Sequence, residues 1–214
     1  MARLPQSERS RRTRAKIMKA TLDCILDIGV RETTTSNIAR RAGISRGALM
    51  HHYPTKEALM HAALEDLLER EVATVGQLAT DISAGTMDFD TFLATLCDHF
   101  TGDLFMVTLE YLTAARTDPS IKNVLLPLAY RFNEALEQIW DQLVSYDRGD
   151  NGTKRTAINA TLCMFRGMGA QSVWRNDPAL YRDMLLFWKQ ALTDMGFIPR
   201  DQPLGSTADA AKKI

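Results

Sequence analysis

The sequence has no apolar run approaching the roughly eighteen residues that a membrane-spanning helix requires. Its Arg-rich beginning is not followed by the apolar segment of a secretory signal. With 45% hydrophobic and 24% charged residues, the composition is typical of a soluble globular protein. The 214 residues are enough for one large domain or two small ones. We therefore expect the protein in the cytoplasm.

Cysteine is scarce, and the sequence lacks catalytic motifs. Cys24, Cys97 and Cys163 lie far apart in apolar helical contexts without a CxxC pair, so we expect buried thiols in a reducing compartment. The GxSxG and HExxH motifs and a phosphate-binding glycine loop are absent. His61 and Glu65 have the spacing of metal ligands, but without a third ligand a solvated pair is the better interpretation. The sequence predicts no enzyme, no metal site and no cofactor.

Neither sign of charge is in excess, since 26 Lys and Arg balance 26 Asp and Glu, but the charges are unevenly distributed. Residues 1–53 hold eleven Lys and Arg against four Asp and Glu, which gives them a net charge of +7 and the remainder −7. A basic segment attracts phosphate, whereas an acidic body is repelled by a nucleic acid duplex. The distribution favours nucleic-acid binding by the N-terminal part.

The most informative stretch is TTSNIARRAGISRGALMHHYPTKEAL. Thr34 or Thr35 can cap a short helix, and Gly43 can end it in the left-handed conformation. Ser45 can then cap a second short helix, which Pro54 stops. The apolar positions of the two helices are spaced so that they share a small core, which is the pattern of a helix-turn-helix.

Several residues of this stretch, and the preceding helix that ends in glycine, together resemble a known family. They are Thr35, Ile38, Ala39, Ala42, Gly43, Ile44, Ser45, Leu49, His52, Tyr53, Lys56 and Leu59. This pattern resembles the DNA-binding domain of the tetracycline-repressor (TetR) family and covers about sixty N-terminal residues. The rest of the chain is similar to the family only in its length and helical content.

The resemblance implies a set of DNA contacts in which the second motif helix enters the major groove. The residues expected near the DNA backbone are Thr35, Ser36, His52 and Lys56. Those expected to face the bases are Arg46, Gly47, Ala48, Met50 and His51. Arg46 is the best candidate for reading a base, because a guanidinium can bind the O6 and N7 of guanine together. The family usually has tyrosine where Met50 stands, so apolar contact with a thymine methyl is expected there instead.

Helical periodicity recurs along the chain, and no strand-like alternation is present. We predict an all-α fold of about nine helices, with one long helix from Thr55 to about Ile82 that joins the two domains and acts as a lever between them. The predicted domains are residues 1–54 for DNA binding, with the linking helix beginning before residue 60, and 55–198 for ligand binding and dimerisation. Residues 199–214 are predicted to be a disordered tail.

The last two helices carry more apolar surface than one internal face requires, with small residues that allow close approach. In the resembled family these helices pair with those of a second subunit, which implies a homodimer; burial within one monomer is the alternative. The expected interface residues are Phe165, Gly169, Val173, Leu185, Trp188 and Leu192.

The middle helices are rich in large apolar side chains with a few polar groups among them. This composition is typical of a small-molecule pocket, although Met and Phe at helical spacing also fill ordinary cores. The resemblance favours a pocket, and for Glu110 a plain surface turn remains the simpler alternative. The candidate lining residues are Phe92, Leu96, His99, Phe100, Phe105, Met106, Leu109, Glu110, Thr113, Tyr130 and Asn133.

Taken together, the residues and the resemblance predict a transcriptional regulator that binds a palindromic DNA operator as a dimer. It is expected to be a repressor that a small apolar or amphipathic effector releases. The alternative is a DNA-binding protein of the same fold that answers to a protein partner, or that organises the chromosome, without an effector.

Overall fold

Nine helices make up most of the computed structural model in the part of the chain that it describes, residues 5–147 and 151–199. Their bounds are α1 Gln6–Glu32, α2 Thr35–Ala42, α3 Arg46–His52, α4 Lys56–Ser83, α5 Phe89–Thr101, α6 Asp103–Ala115, α7 Pro119–Leu143, α8 Asn151–Gln171 and α9 Pro178–Asp194. The predicted helical fold is confirmed. None of the described helices has the length and apolar character needed to span a membrane.

Two short strands, which the sequence did not predict, form an antiparallel pair. β1 (Val144–Tyr146) lies against β2 (Phe197–Pro199), with Tyr146 opposite Phe197. The rings of these two residues stack with their centroids 4.6 Å apart. Three residues are too few to show alternation, so the pattern analysis missed the pair. Pro199, predicted to begin the tail, belongs to β2, and residues 200–214 lie outside the described residues.

The chain divides into two compact units, the first of which contains residues 1–70 and 106–128. Its core joins α1, α2, α3 and the start of α4 to α6 and the start of α7. The fully buried side chains include Ile17, Ile38, Leu49, Leu64 and Tyr111. The Tyr111 hydroxyl donates a hydrogen bond to the carbonyl of Met60 over 2.9 Å, which satisfies its polar atom inside the core.

The second unit contains residues 71–105 and 129–214. Trp140 of α7 is fully buried, and its ring contacts Phe89 edge-on at 5.6 Å. α5 and α8 pack closely, and their buried residues include Phe92 and Phe165. The boundaries of the two compact units differ from those of the predicted functional domains. The division into functional domains therefore stays a prediction.

Gly29 interrupts α1 shortly before its end. Its φ of 77° and ψ of 164° are not helical, and only one further turn follows it. The sequence placed the end of this helix at Gly29, which is where the regular helix stops. The Val30 N–H, which has no helical acceptor after this break, donates to Glu110 Oε2 of α6 over 3.3 Å. The helix also begins earlier than predicted, at Gln6.

Candidate functional site

The turn between α2 and α3 is fixed by capping residues at both sides. The Thr34 hydroxyl accepts the Asn37 N–H at 3.2 Å, and the Ser45 hydroxyl accepts the Ala48 N–H at 3.1 Å. Gly43 ends α2 with a φ of 67°, a backbone conformation that costs glycine little. The predicted caps are therefore confirmed, with Thr34 rather than Thr35 at the start of α2.

α3 is buried on one side only. Leu49 is fully inaccessible and packs in the core with Ile38 and Ala39 of α2. The other side is open, although Met50 and His52 are half-buried. The exposed α3 residues are Arg46, Gly47, Ala48 and His51. A seven-residue helix that buries one leucine has a free face, which is the geometry needed to enter a DNA groove.

Arg46 has no hydrogen bond or ion pair with any residue that the structure describes. Arg41 of α2 differs, because its Nη2 lies 2.5 Å from Asp27 Oδ2 and its Nη1 points to the Cys24 sulfur at 3.9 Å. The hydrogen bond to Asp27 raises the pKa of Arg41. Of these two arginines, Arg46 is the one whose donors are available to a ligand.

The adjacent histidines of α3 differ in their surroundings. His51 is exposed, and His52 is half-buried with its ring edge-on to His51, the centroids 5.7 Å apart. Burial, followed by the charges of His51 and Arg14, lowers the pKa of His52. At neutral pH the His52 ring is therefore mostly uncharged, so it would bind a phosphate as a neutral N–H donor.

The remaining predicted backbone contacts lie at the starts of α2 and α4. Thr35 is half-buried and Ser36 is exposed in the first turn of α2. Lys56 is half-buried, and its Nζ donates to the Arg31 carbonyl at the end of α1 over 3.3 Å. Lys56 thus stabilises the end of α1, a role that the sequence did not reveal.

The basic start of α1 is partly neutralised. Glu8 contacts Arg11 at 2.9 Å and Arg12 at 3.0 Å, and hydrogen bonds from Arg12 and then Arg11 lower the pKa of its carboxyl. Arg9 and Arg14 are exposed as well. These arginines therefore lie at the surface, two of them paired with Glu8.

The predicted pocket residues are divided between the two compact units. Met106, Leu109, Glu110 and Thr113 belong to the first unit, where they line an open groove of about 640 Å³ beside the end of α1. The others belong to the second unit: Phe92, Leu96, Phe100 and Phe105 are buried there in the core, and Tyr130 is 65% exposed.

His99 and Glu71 are in contact in the second unit, beside a very small cavity. The His99 imidazole contacts the carboxylate of Glu71, which is only 7% exposed. The cavity has a volume of about 20 Å³, room for about one water molecule, and is lined by His99, Phe132, Leu96 and four residues of α4 and α5. Glu71 was not predicted, because helical periodicity identifies a buried face but not its neighbours.

Arg166 of α8 is the functional candidate that the sequence analysis missed. Its Nη2 donates to Asn133 Oδ1 of α7 over 2.9 Å, and its guanidinium carbon lies 5.3 Å from the centroid of the Phe100 ring. Burial lowers the pKa of Arg166. An arginine inside the apolar run CMFRGMG was a signal that could have found it, because such a charge needs an explanation.

Three of the predicted interface residues face their own chain instead. Phe165 and Leu192 are buried, and Gly169 lies against the backbone of Phe100. Leu185 is half-buried, as is Trp188, whose Nε1 donates to Thr161 Oγ1 over 2.8 Å. Val173 is 69% exposed, as the prediction requires, and Trp174, Leu186 and Phe187 are further exposed apolar residues in this part of the chain.

One of the three cysteines departs from its predicted burial. Cys24 and Cys97 are buried thiols, but Cys163 is exposed. It lies on the outward side of α8, between Leu162 and Phe165, which are both buried. The apolar surroundings in the sequence therefore belong to the opposite side of the same helix.

Residues 17–63 match the family model of bacterial regulatory proteins, tetR family. An HTH-type transcriptional regulator of Mycobacterium tuberculosis is 33% identical over 120 residues, which are 56% of this chain and 62% of that protein. The HTH-type transcriptional regulator CymR of Pseudomonas putida is 27% identical over 184 residues, 82% of this chain and 86% of that protein.

A solved structure shares the fold. A transcriptional regulator from Saccharomonospora viridis, in complex with choline, superposes with a TM-score of 0.66 at 18% identity, over 91% of this chain and all of that one. Its identity is low enough that it supports the fold alone. The helix-turn-helix and the match of residues 17–63 agree, so the N-terminal part of the chain is a DNA-binding domain of the kind found in bacterial regulatory proteins of the tetR family.

Proposed function

We propose that this protein is a sequence-specific DNA-binding transcriptional regulator, most simply a repressor. It binds a palindromic operator as a homodimer and leaves it when a small apolar or amphipathic effector binds. The single observation that carries the proposal is the open face of α3, where Arg46 has no partner in the described structure. A free guanidinium on a short exposed helix is suited to reading a guanine in the major groove.

The proposed dimer is supported by apolar surface on the last two helices and the turn between them. Val173, Trp174, Leu186 and Phe187 are all more than 60% exposed in the single chain. Large apolar groups in such a concentration mark interaction surfaces rather than ordinary solvent-facing positions. A two-fold dimer presents two copies of α3 to two half-sites, which is why the proposed operator is palindromic.

The proposed effector is supported by the fold of the S. viridis protein, whose structure contains choline. We assign residues 1–54 to DNA binding and 55–198 to effector binding and dimerisation. Helices α4, α6 and α7 each contribute residues to both compact units. A change that an effector causes in the second unit therefore has a continuous helical backbone to follow into the first.

DNA binding is tested with the purified chain and labelled duplexes that cover the region upstream of its own gene. Fluorescence anisotropy is expected to find one palindromic duplex that binds far more tightly than random DNA of equal length, with affinity falling steeply as salt rises. Sedimentation of the complex is expected to give two chains per duplex. Equal affinity for every duplex, or no binding at low ionic strength, would contradict the proposal.

A second candidate function is DNA binding under the control of a protein partner, without an effector. It is favoured by the cavity beside His99, which at about 20 Å³ has no room for an effector as it stands. A thermal melt against a library of small molecules separates the two candidates, since a ligand that prefers the native state must raise its Tm.

A further inference from the structure

The cations of the second unit differ in what neutralises them. Lys154 is buried, and its Nζ lies 2.7 Å from Asp141 Oδ1. Lys189 and Asp90 are also 2.7 Å apart, and Arg155 lies 3.1 Å from Glu137. Each of these side chains has a carboxylate partner, and the buried Lys154 is the one whose charge most needs it.

Arg166 is half-buried, and among the described residues no carboxylate lies within ion-pair distance of it. Its partners are neutral, namely the Asn133 amide oxygen, the Cys163 thiol and the face of the Phe100 ring. Neutral acceptors compensate only part of the hydration that a guanidinium loses on burial. The site therefore holds a positive charge for which the described residues supply no counter-ion.

We propose that Arg166 is the anchor of the effector site and that the effector is a small monocarboxylate with an apolar or aromatic body. This inference rests on the proposed function, because it names the chemical class of that effector. The planar fork of the guanidinium binds both oxygens of a carboxylate, and Asn133 holds one of its nitrogens in place.

The residues around Arg166 indicate the chemical character of the rest of the ligand. Phe100 is the ring beneath the guanidinium, and its centroid lies 5.3 Å from Phe105 and 6.1 Å from Phe132. An aromatic body of a ligand bound at Arg166 would pair with these rings in the edge-to-face or offset-stacked geometry that aromatic groups prefer. The nearby Glu71 carboxylate already has His99, which stacks on Phe132, as its partner. The cluster therefore already contains one carboxylate, and a ligand with one carboxylate is favoured over a ligand with two.

The test compares benzoate and hexanoate with benzamide and benzylamine, which resemble benzoate in shape but are neutral or cationic. Thermal melting and isothermal titration are done on the full chain and on Arg166→Met. Arg155→Gln is the control, because Arg155 lies on the same helix but is exposed and paired with Glu137. Arg166→Lys keeps the charge without the fork and serves as a second variant if Arg166→Met does not fold.

Both carboxylates are expected to raise the Tm of the full chain and of Arg155→Gln, whereas benzamide and benzylamine leave it unchanged. Arg166→Met is expected to weaken benzoate binding by about ten- to a hundredfold, the usual contribution of a charged hydrogen bond. The affinity of Arg166→Lys is expected to lie between those of the unchanged chain and Arg166→Met. Without ligand, Arg166→Met is expected to melt at the same temperature or higher, since a desolvated charge has been removed. If Arg166 were needed only for the structure, the substitution would lower the Tm.

Three results would overturn the inference: equal stabilisation by benzamide and benzoate, undiminished benzoate binding by Arg166→Met, or no effect of either carboxylate at millimolar concentration. If Arg166 instead pairs with a carboxylate of a second copy, Arg166→Met weakens the dimer and benzoate has no effect, which also overturns it. Operator binding by the ligand-free chain is measured in parallel. Tight operator binding without a carboxylate response rejects this inference alone, and no operator binding rejects the proposed function.

Discussion

An exposed guanidinium reads a base when its planar donors meet the O6 and N7 acceptors of guanine. Arg46 satisfies this condition, because it stands in the first turn of α3 and no described residue occupies its donors. Arg41 is equally basic, but Asp27 holds it. The two arginines therefore differ in whether they have a partner in their own chain. Arg46, which has none, is the candidate for reading a base, whereas Arg41 supports the fold.

Arg46→Ala is expected to weaken binding to the cognate operator by about 1 to 3 kcal/mol per contact while leaving binding to random DNA nearly unchanged. Lys122→Ala, which removes an exposed charge from α7 in the same compact unit, is the control and should change neither. Anisotropy titrations with the two DNAs measure both affinities. Equal losses on both DNAs would show that Arg46 contacts phosphate.

Ser45→Ala removes the side-chain cap of α3 and is expected to lower the free energy of unfolding by about 1 kcal/mol. Ser36→Ala is the matched control, because Ser36 is exposed inside α2 and caps nothing. Urea denaturation followed by circular dichroism gives the two values. A loss of equal size in both variants would indicate that the Ser45 hydroxyl is not the stabilising group.

The caps of α2 and α3 could be predicted because a capping hydroxyl and the backbone N–H that donates to it lie within three residues of each other. The contacts of Lys56 with the Arg31 carbonyl and of Glu110 with the Val30 N–H could not, since 25 and 80 residues separate the partners. The same limit applies to Arg166 and Asn133, 33 residues apart. A single sequence encodes local hydrogen bonds directly and distant ones only through the fold.

Helices α5 and α8 approach each other at a glycine. A Cβ on Gly169 would lie 2.7 Å from Phe105 Cδ1 and closer still to the Phe100 carbonyl oxygen, which belongs to the backbone and cannot turn away. A Cβ on Gly167, on the same helix, would meet no atom within 4 Å. The two glycines look alike in the sequence, and only the packing of the elements separates them.

Gly169→Ala is therefore expected to lower the free energy of unfolding by about 1 to 3 kcal/mol, because the methyl group forces the helices apart. Gly167→Ala is expected to leave stability unchanged or raise it by about 0.5 to 1 kcal/mol, as usual for an exposed helical position. Both values come from denaturant melts at matched concentration. Equal effects of the two substitutions would contradict the close crossing.

At the scale of elements, helical periodicity found the helices but not what each apolar face touches. The predicted interface residues Phe165 and Leu192 fit the periodic pattern, yet both are buried in their own chain. The predicted pocket residues Met106 and Phe100 belong to different compact units, so the pocket stays a prediction. Periodicity predicts that one face of a helix is buried. Only the fold shows which residues that face contacts.

The whole molecule combines a basic N-terminal part with an apolar surface near its C-terminal end. Residues 1–53 carry a net charge of +7 and the rest −7. The first property supports attraction to a duplex, and the second supports pairing of two chains. For a regulator that binds a palindrome, the two are coupled, because the operator is bound tightly only by two copies of α3 held together.

Phe187→Asp tests this coupling, since Phe187 is 75% exposed and a charge there would have to be desolvated in the proposed interface. We expect the dimer dissociation constant to rise by about thirtyfold, which corresponds to about 2 kcal/mol, the usual loss at an interface hot spot. Operator affinity should fall with it at concentrations where the chain becomes monomeric. Tyr130→Asp, at another exposed aromatic residue of the second unit, is the control. Sedimentation velocity measures the dimer, and fluorescence anisotropy measures the operator complex. If the Phe187→Asp chain stays dimeric, the two-fold contact lies on another surface.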